Sequence, residues 1–260
     1  MRRLRRFFGS SLEGFRARRS ARRKVLRTRR AVARLPADLD ASAVIEFIFS
    51  NDAEAITPWQ IPAEFGALAA LVERRRPTTV LEIGTADGGT LFAHARLASP
   101  DALVISIDLP EGPFGGGYPA SRVPLYRSFA QHNQRLELLR VDSHEPATVA
   151  LLETVLAGRR IEYAFIDGDH TYEGVRQDFD LCRRFAAPGA VIAFHDIVDQ
   201  PNSAYVSATR SQEVADWAVH RFWKELKREY DHDEFIHDPM QEGYGIGVVY
   251  LERRSRDRAP

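Results

Sequence analysis

Short unbroken apolar runs recur along this chain, and each is cut off by glycine, aspartate or histidine. Residues 79–83 (TVLEI), 102–107 (ALVISI), 136–141 (LELLRV), 161–166 (IEYAFI) and 190–194 (AVIAF) are of strand length and too apolar to alternate, the pattern of strands buried on both faces. Between them lie stretches with apolar positions three and four apart. Residues 63–75, 90–97, 124–131, 146–156 and 172–185 read as helices, the last with Val175, Phe179, Leu181 and Cys182 inward and stopped by Pro188-Gly189. A further helix is predicted over 212–230. Two late strands, 234–237 and 245–251, suit a hairpin at a sheet edge.

Strand and helix in strict alternation predict an α/β fold: a doubly wound, Rossmann-like, seven-stranded sheet, mostly parallel, with a C-terminal antiparallel hairpin strand. In such sheets ligands bind outside the carboxyl ends of the strands. Five runs here end on polar or acidic residues, so the sequence places its chemistry along one edge.

Charge divides the chain. Residues 1–34 hold fourteen Lys or Arg against the single acid Glu13, a net of +13, and the remainder is −13. Residues 1–36 are therefore read as a basic extension, helical or disordered, followed by a folded domain over 37–252 and a frayed tail over 253–260. With Leu4, Phe7, Phe8, Leu12 and Phe15 loosely on one side, the extension suits an anionic membrane surface or an acidic partner better than a nucleic acid. One cysteine, Cys182, excludes an intrachain disulfide and a cysteine-based zinc site. No apolar run reaches membrane-span length and no signal-peptide core is evident, which suggests a cytoplasmic protein, peripherally membrane-associated through its basic end.

The first strand runs into Gly84-Thr-Ala-Asp-Gly-Gly-Thr and then a helix, an opening in which backbone can approach a ligand and free N–H groups face it. Asp108, about twenty residues on at the end of the next strand, is spaced to accept from ribose hydroxyls. Asp167, Gly168, Asp169 and His170 close the fourth strand, and His195-Asp196 closes the fifth. Clustered carboxylates repel one another unless a cation or proton lies between them. A metal site at Asp167 and Asp196, with Asp169 as base, is one explanation; a helix cap at Asp167 and a core histidine at His195 are the other. Residues 109–123, rich in glycine and proline, read as a lid, with Tyr118 touching substrate or pinning the loop. Trp59 and Gln60 are candidates for a pocket edge, packing being the expectation for Trp59. His94, His132 and His220 are expected at the surface, and Glu173 and Asp178 in solvent.

Together TVLEIGTADGGT, Asp108, VDSHEP, AFIDGDHTYEGVRQDF and PGAVIAFHD resemble class I S-adenosylmethionine-dependent methyltransferases, and more narrowly the metal-dependent small-molecule O-methyltransferases of sugars and macrolides, a group that includes cephalosporin hydroxylase-like proteins. The resemblance covers roughly residues 56 to 251. It implies that Glu82, Gly84 and Thr85 meet the methionine end of the cofactor, that Asp108 binds ribose, and that Asp142 and Ser143 face adenine. It further implies Asp167, His195 and Asp196 as metal ligands, for Mg²⁺ first and Mn²⁺ second, and Asp169 as general base with His170 as a second base or substrate contact. Related enzymes usually carry two acids where this chain has His195-Asp196. The implied partners are a small-molecule hydroxyl acceptor and a second copy in a homo-oligomer. An NAD-dependent Rossmann oxidoreductase would share the opening strand and ribose acid, and a non-catalytic cofactor-binding domain recruited by its basic end would share the fold.

Overall fold

A computed structural model describes residues 19–110, 117–131, 133–199 and 218–253. The centre of the predicted lid (111–116), the start of the predicted 212–230 helix, His132, residues 1–18 and the tail from 254 lie outside these. In chain order the elements are α1 (residues 19–32), α2 (Ala41–Ile48), α3 (Pro62–Arg75), β1 (Thr79–Ile83), α4 (Gly89–Leu97), β2 (Leu103–Asp108), the short α5 (Val123–Tyr126), β3 (Arg135–Arg140), α6 (Pro146–Leu156), β4 (Ile161–Ile166), α7 (Tyr172–Phe185), β5 (Ala186–His195), α8 (Val219–Glu229), β6 (Tyr230–Phe235) and β7 (Ile246–Arg253).

All seven strands join one sheet in the order β3-β2-β1-β4-β5-β7-β6. The first five are parallel, and β7 inserts antiparallel between β5 and β6. Successive side chains of a strand point to opposite faces, and the core divides accordingly. Val80, Val104, Tyr163, Phe165, Val191 and Val248 pack with α2, α3 and α4 on one face; Leu81, Ile105, Ala164, Ile166, Ile192 and Val249 pack with α6, α7 and α8 on the other.

Register sets which strand ends lie level. Ile83 pairs with Ile107 of β2 and with Ile166 of β4, and Ile166 pairs with Phe194 of β5. The next residue on each strand, Gly84, Asp108, Asp167 and His195, is therefore carried to one level at the carboxyl ends. Strand order reverses between β1 and β4, the switch point where open α/β sheets hold ligands.

Two boundaries differ from the sequence expectation. β5 begins at Ala186, upstream of Pro188-Gly189, because the register with β4 shifts between Ile161 and Tyr163 and the irregularity accommodates the proline. β6 begins at Tyr230, directly after α8, rather than at Glu234. Its run of Asp231, His232 and Asp233 belongs to an edge strand, whose exposed face needs charge and so lacks the apolar signature. The connection between β6 and β7 is pinned by buried Glu64 of α3, whose carboxylate accepts from His237 N (3.0 Å), Gln241 Nε2 (2.7 Å) and Gly245 N (2.9 Å).

Candidate active site

The turn after β1 is shaped by contact with β4. Gly84 has φ +88, and a Cβ there would fall inside the Asp167 carbonyl; only glycine meets both demands. Gly84 N donates to Ile107 O (3.0 Å) and Asp167 N to Ile83 O (2.8 Å), so three strand ends are tied together. Asp108 Oδ2 accepts from Thr85 N (2.9 Å) and Ala86 N (2.8 Å), and Oδ1 from Leu109 N (2.8 Å). Burial of this carboxyl raises its pKa, outweighing those three N–H groups, which act the other way. Thr85 Oγ1 meets Ser106 Oγ at 2.7 Å beneath the turn. After β3, Asp142 is exposed with Oδ1 accepting from His144 N (2.9 Å), and Ser143 beside it is half-buried.

Asp167, His170, His195 and Asp196 converge beyond β4 and β5. Asp167 Oδ1 lies 3.2 Å from both His170 Nε2 and His195 Nδ1; Asp196 lies 3.4 Å from His170 Nδ1 and 3.3 Å from His195 Nδ1. Donor atoms of Asp167, His170 and Asp196 all fall within 4.8 Å of one another. Thus His170, expected as a base or substrate contact, joins the expected ligand pair of acids, and His195 stands against both carboxylates. Asp196 holds φ +60, uncommon outside glycine. Burial opposes ionisation of both acids, yet the His195 and His170 imidazoles hold them below the usual carboxylate range. The carboxylates in turn raise both imidazoles against the effect of burial.

Gln60 completes this cluster. Its Nε2 donates to Asp167 Oδ2 at 2.7 Å, while its Oε1 is buried without a hydrogen-bond partner among the described residues. Trp59 is 69% exposed rather than packed, since Gln60 is the residue of this pair that turns inward. Tyr244 stacks edge-on to His195 with centroids 6.0 Å apart. Asp169 is exposed and its Oδ1 accepts from Thr171 N (2.8 Å), so this carboxylate organises the entry to α7 while facing solvent.

Several expectations are corrected. His94 is buried, with Nδ1 2.7 Å from Glu82 Oε2 and Nε2 3.0 Å from the Tyr163 hydroxyl. α4 is apolar on nearly every side, and a lone histidine within such a helix has no solvent to reach. Glu82 accordingly points into the core beneath the turn. Asp178 is also fully buried, 3.2 Å from His144 Nε2, because α7 turns this position toward the loop after β3. Tyr118 is buried and stacks on Tyr126 at 4.8 Å, so it pins the neck of the glycine-rich loop. Glu173 is exposed as expected, and His220 is partly shielded.

A seven-stranded sheet in this order, with a glycine turn and an acid at its switch point, defines a class I methyltransferase fold. Residues 81–197 match the sequence model of a methyltransferase domain, from the middle of β1 through the His195-Asp196 corner. Among solved structures, an O-methyltransferase from Bacillus cereus in complex with SAH is 18% identical with a TM-score of 0.51, over 80% of this chain and 90% of that one. Cofactor-bound Rv0187 from MTB is 21% identical with a TM-score of 0.51, over 81% and 87% of the two chains. An uncharacterized protein of Acanthamoeba polyphaga mimivirus is 29% identical over 144 residues, 53% of this chain and 60% of that protein. The chain thus spans less than two thirds of that relative's length.

Proposed function

We propose that this protein is an S-adenosylmethionine-dependent O-methyltransferase acting on a hydroxyl of a small molecule, a sugar or other secondary metabolite, with a divalent cation at the Asp167 cluster. The observation that carries the proposal is the shared level of Gly84, Asp108, Asp167 and His195 along one edge of a methyltransferase domain. Bound S-adenosylmethionine supplies an electrophilic methyl group, and a divalent cation supplies charge that lowers the pKa of a coordinated hydroxyl.

The residues divide the work by position. The turn from Gly84 leads into α4, and the first backbone N–H groups of that helix, from Gly89 on, are the ones offered to the methionine end of the cofactor. Asp108 retains acceptor capacity for ribose hydroxyls, because a carboxylate offers about four lone-pair sites and three N–H groups reach it here. Asp142 and Ser143 are assigned to the adenine side.

Two carboxylates and an imidazole with donor atoms within 4.8 Å fit a small divalent ion, and Asp167, His170 and Asp196 would hold it, with His195 as a further ligand or as the group that orients both acids. Imidazole donors favour Mn²⁺ and later metals over Mg²⁺. Gln60 fixes the free oxygen of Asp167. Exposed Asp169 is the group assigned to accept the acceptor's proton, with His170 as the alternative.

The test is calorimetric titration of S-adenosylhomocysteine, with and without Mg²⁺ or Mn²⁺, into the wild type, Asp108→Ala and Asp167→Asn. Micromolar binding lost in the first variant, and metal binding lost in the second, supports the assignment. A folded protein that binds neither ligand overturns it.

A further inference from the structure

The first described helix, α1, docks through one face and leaves an unused one. Thr28 and Val32 are buried, Val25 is partly buried, and the Thr28 hydroxyl donates to Asp52 O (2.8 Å) and accepts from Ala55 N (3.4 Å). Two cations at the rim of this face are neutralised, Lys24 by Glu54 at 2.6 Å and Arg27 by Asp52 at 2.8 Å. Packing and ion pairing thus consume Val25, Thr28, Val32, Lys24 and Arg27.

At 100° per residue the rest of the helix forms a second face centred on Leu26. Arg22 and Arg29 fall on one side of Leu26, and Arg19, Arg23 and Arg30 on the other. All five arginines are exposed, and Leu26 is 44% exposed. None of the five side chains has an acid within ion-pair distance among the described residues. Among the described residues, the leucine at the centre of this arginine face belongs to no buried cluster.

We propose that this face of α1 seats on the surface of an anionic phospholipid bilayer, with Leu26 entering the headgroup boundary and the arginines pairing with lipid phosphates. Charge complementarity sets the sign of the partner. The central leucine favours a bilayer over a nucleic acid: a polyanion needs only the cations, whereas an interfacial helix gains from an apolar residue among them. Residues 1–18 continue the composition in sequence, with six arginines beside Leu4, Phe7, Phe8, Leu12 and Phe15. The proposal does not rest on methyl transfer.

The experiment is co-sedimentation of the full-length protein with vesicles of phosphatidylcholine and phosphatidylglycerol, against pure phosphatidylcholine. Wild type, Leu26→Ser, and the combined Arg22→Gln, Arg23→Gln, Arg29→Gln, Arg30→Gln variant are compared, with circular dichroism to confirm that the domain is folded. These positions lie on the exposed face, so folding should be retained. We expect binding to the anionic vesicles only, weakened by salt, reduced roughly tenfold or more in the combined variant and several-fold in Leu26→Ser. Equal binding by wild type and the combined variant, or no binding to anionic vesicles, overturns the proposal. So does binding that is insensitive to Leu26→Ser while an oligonucleotide at the same ionic strength competes the vesicles away, since that pattern belongs to a nucleic-acid surface.

Discussion

Replacement of His144 by glutamine tests a partly buried histidine–carboxylate contact outside the Asp167 cluster. Asp178 is fully buried on α7, and His144 is the one cation within ion-pair distance of it among the described residues. The Asp178 contact pushes the His144 pKa up to about 9, against the opposing effect of burial, with Asp142 and Asp169 adding smaller pulls in the same direction. A rise from the ordinary 6.5 to about 9 corresponds to about 3 kcal/mol of linkage. The His144 side chain is 24% exposed, so solvent screening reduces this to roughly 1–2 kcal/mol. Because the folded-state pKa lies above the unfolded one, the contribution is fully present below about pH 6.5 and is lost as pH rises through about 9. Urea unfolding of wild type and His144→Gln at neutral pH and above pH 9 reads this directly. At neutral pH the variant should be less stable by roughly 1–2 kcal/mol, and the gap should close at alkaline pH, where tyrosines and lysines titrate alike in both proteins. A gap that persists unchanged above pH 9 would refute the assignment of charge to this pair.

Gly84→Ala should abolish measurable binding of S-adenosylhomocysteine and lower the melting temperature, since positive φ and the clash with the Asp167 carbonyl add to at least about 2 kcal/mol; unchanged affinity would show that the turn tolerates a side chain. His94→Leu leaves Glu82 buried without its imidazole and should destabilise by roughly 3 kcal/mol in chemical denaturation, against about 1 kcal/mol for Tyr163→Phe. Equal losses for the two would place the weight on the hydroxyl. Gln60→Ala frees one oxygen of Asp167 and should weaken Mn²⁺ binding about tenfold in calorimetry without altering overall stability by more than about 1 kcal/mol.

Much of this architecture was legible because the strands are buried on both faces. Residues 79–83 and 161–166 carry no alternation to confuse them with an amphipathic element, and their polar endings mark the sheet edge at which the candidate residues gather. Asp108 was placed by spacing alone, and the glycine turn by its position between strand and helix. What escaped was decided by neighbours far away in sequence. His94 and Asp178 look polar and therefore exposed; each is buried because polar partners wait there, Glu82 and Tyr163 for His94 and His144 for Asp178. Trp59 looks like a core residue and projects outward, since Gln60 takes the inward position to reach an acid 107 residues later. β6 lacked a signal because an edge strand favours charge over apolar alternation. The convergence of His170 with Asp167 and Asp196 depends on the bend of the turn after β4, which spacing does not encode.

The wide separation of the cluster's parts has a consequence for synthesis. Gln60 leaves the ribosome long before Asp167, and β1 has only β2 to pair with until β4 follows. His195 and Asp196 come later still, and their corner is held by bonds from Ile197 N to Gly245 O and from Val198 N to Tyr244 O. Non-local pairing of this kind delays closure of the sheet. A chain stalled anywhere before residue 245 therefore lacks the backbone partners that hold its last two candidate ligands in position. The Asp167 cluster is therefore completed only when the β6–β7 connection has been made, near the end of synthesis.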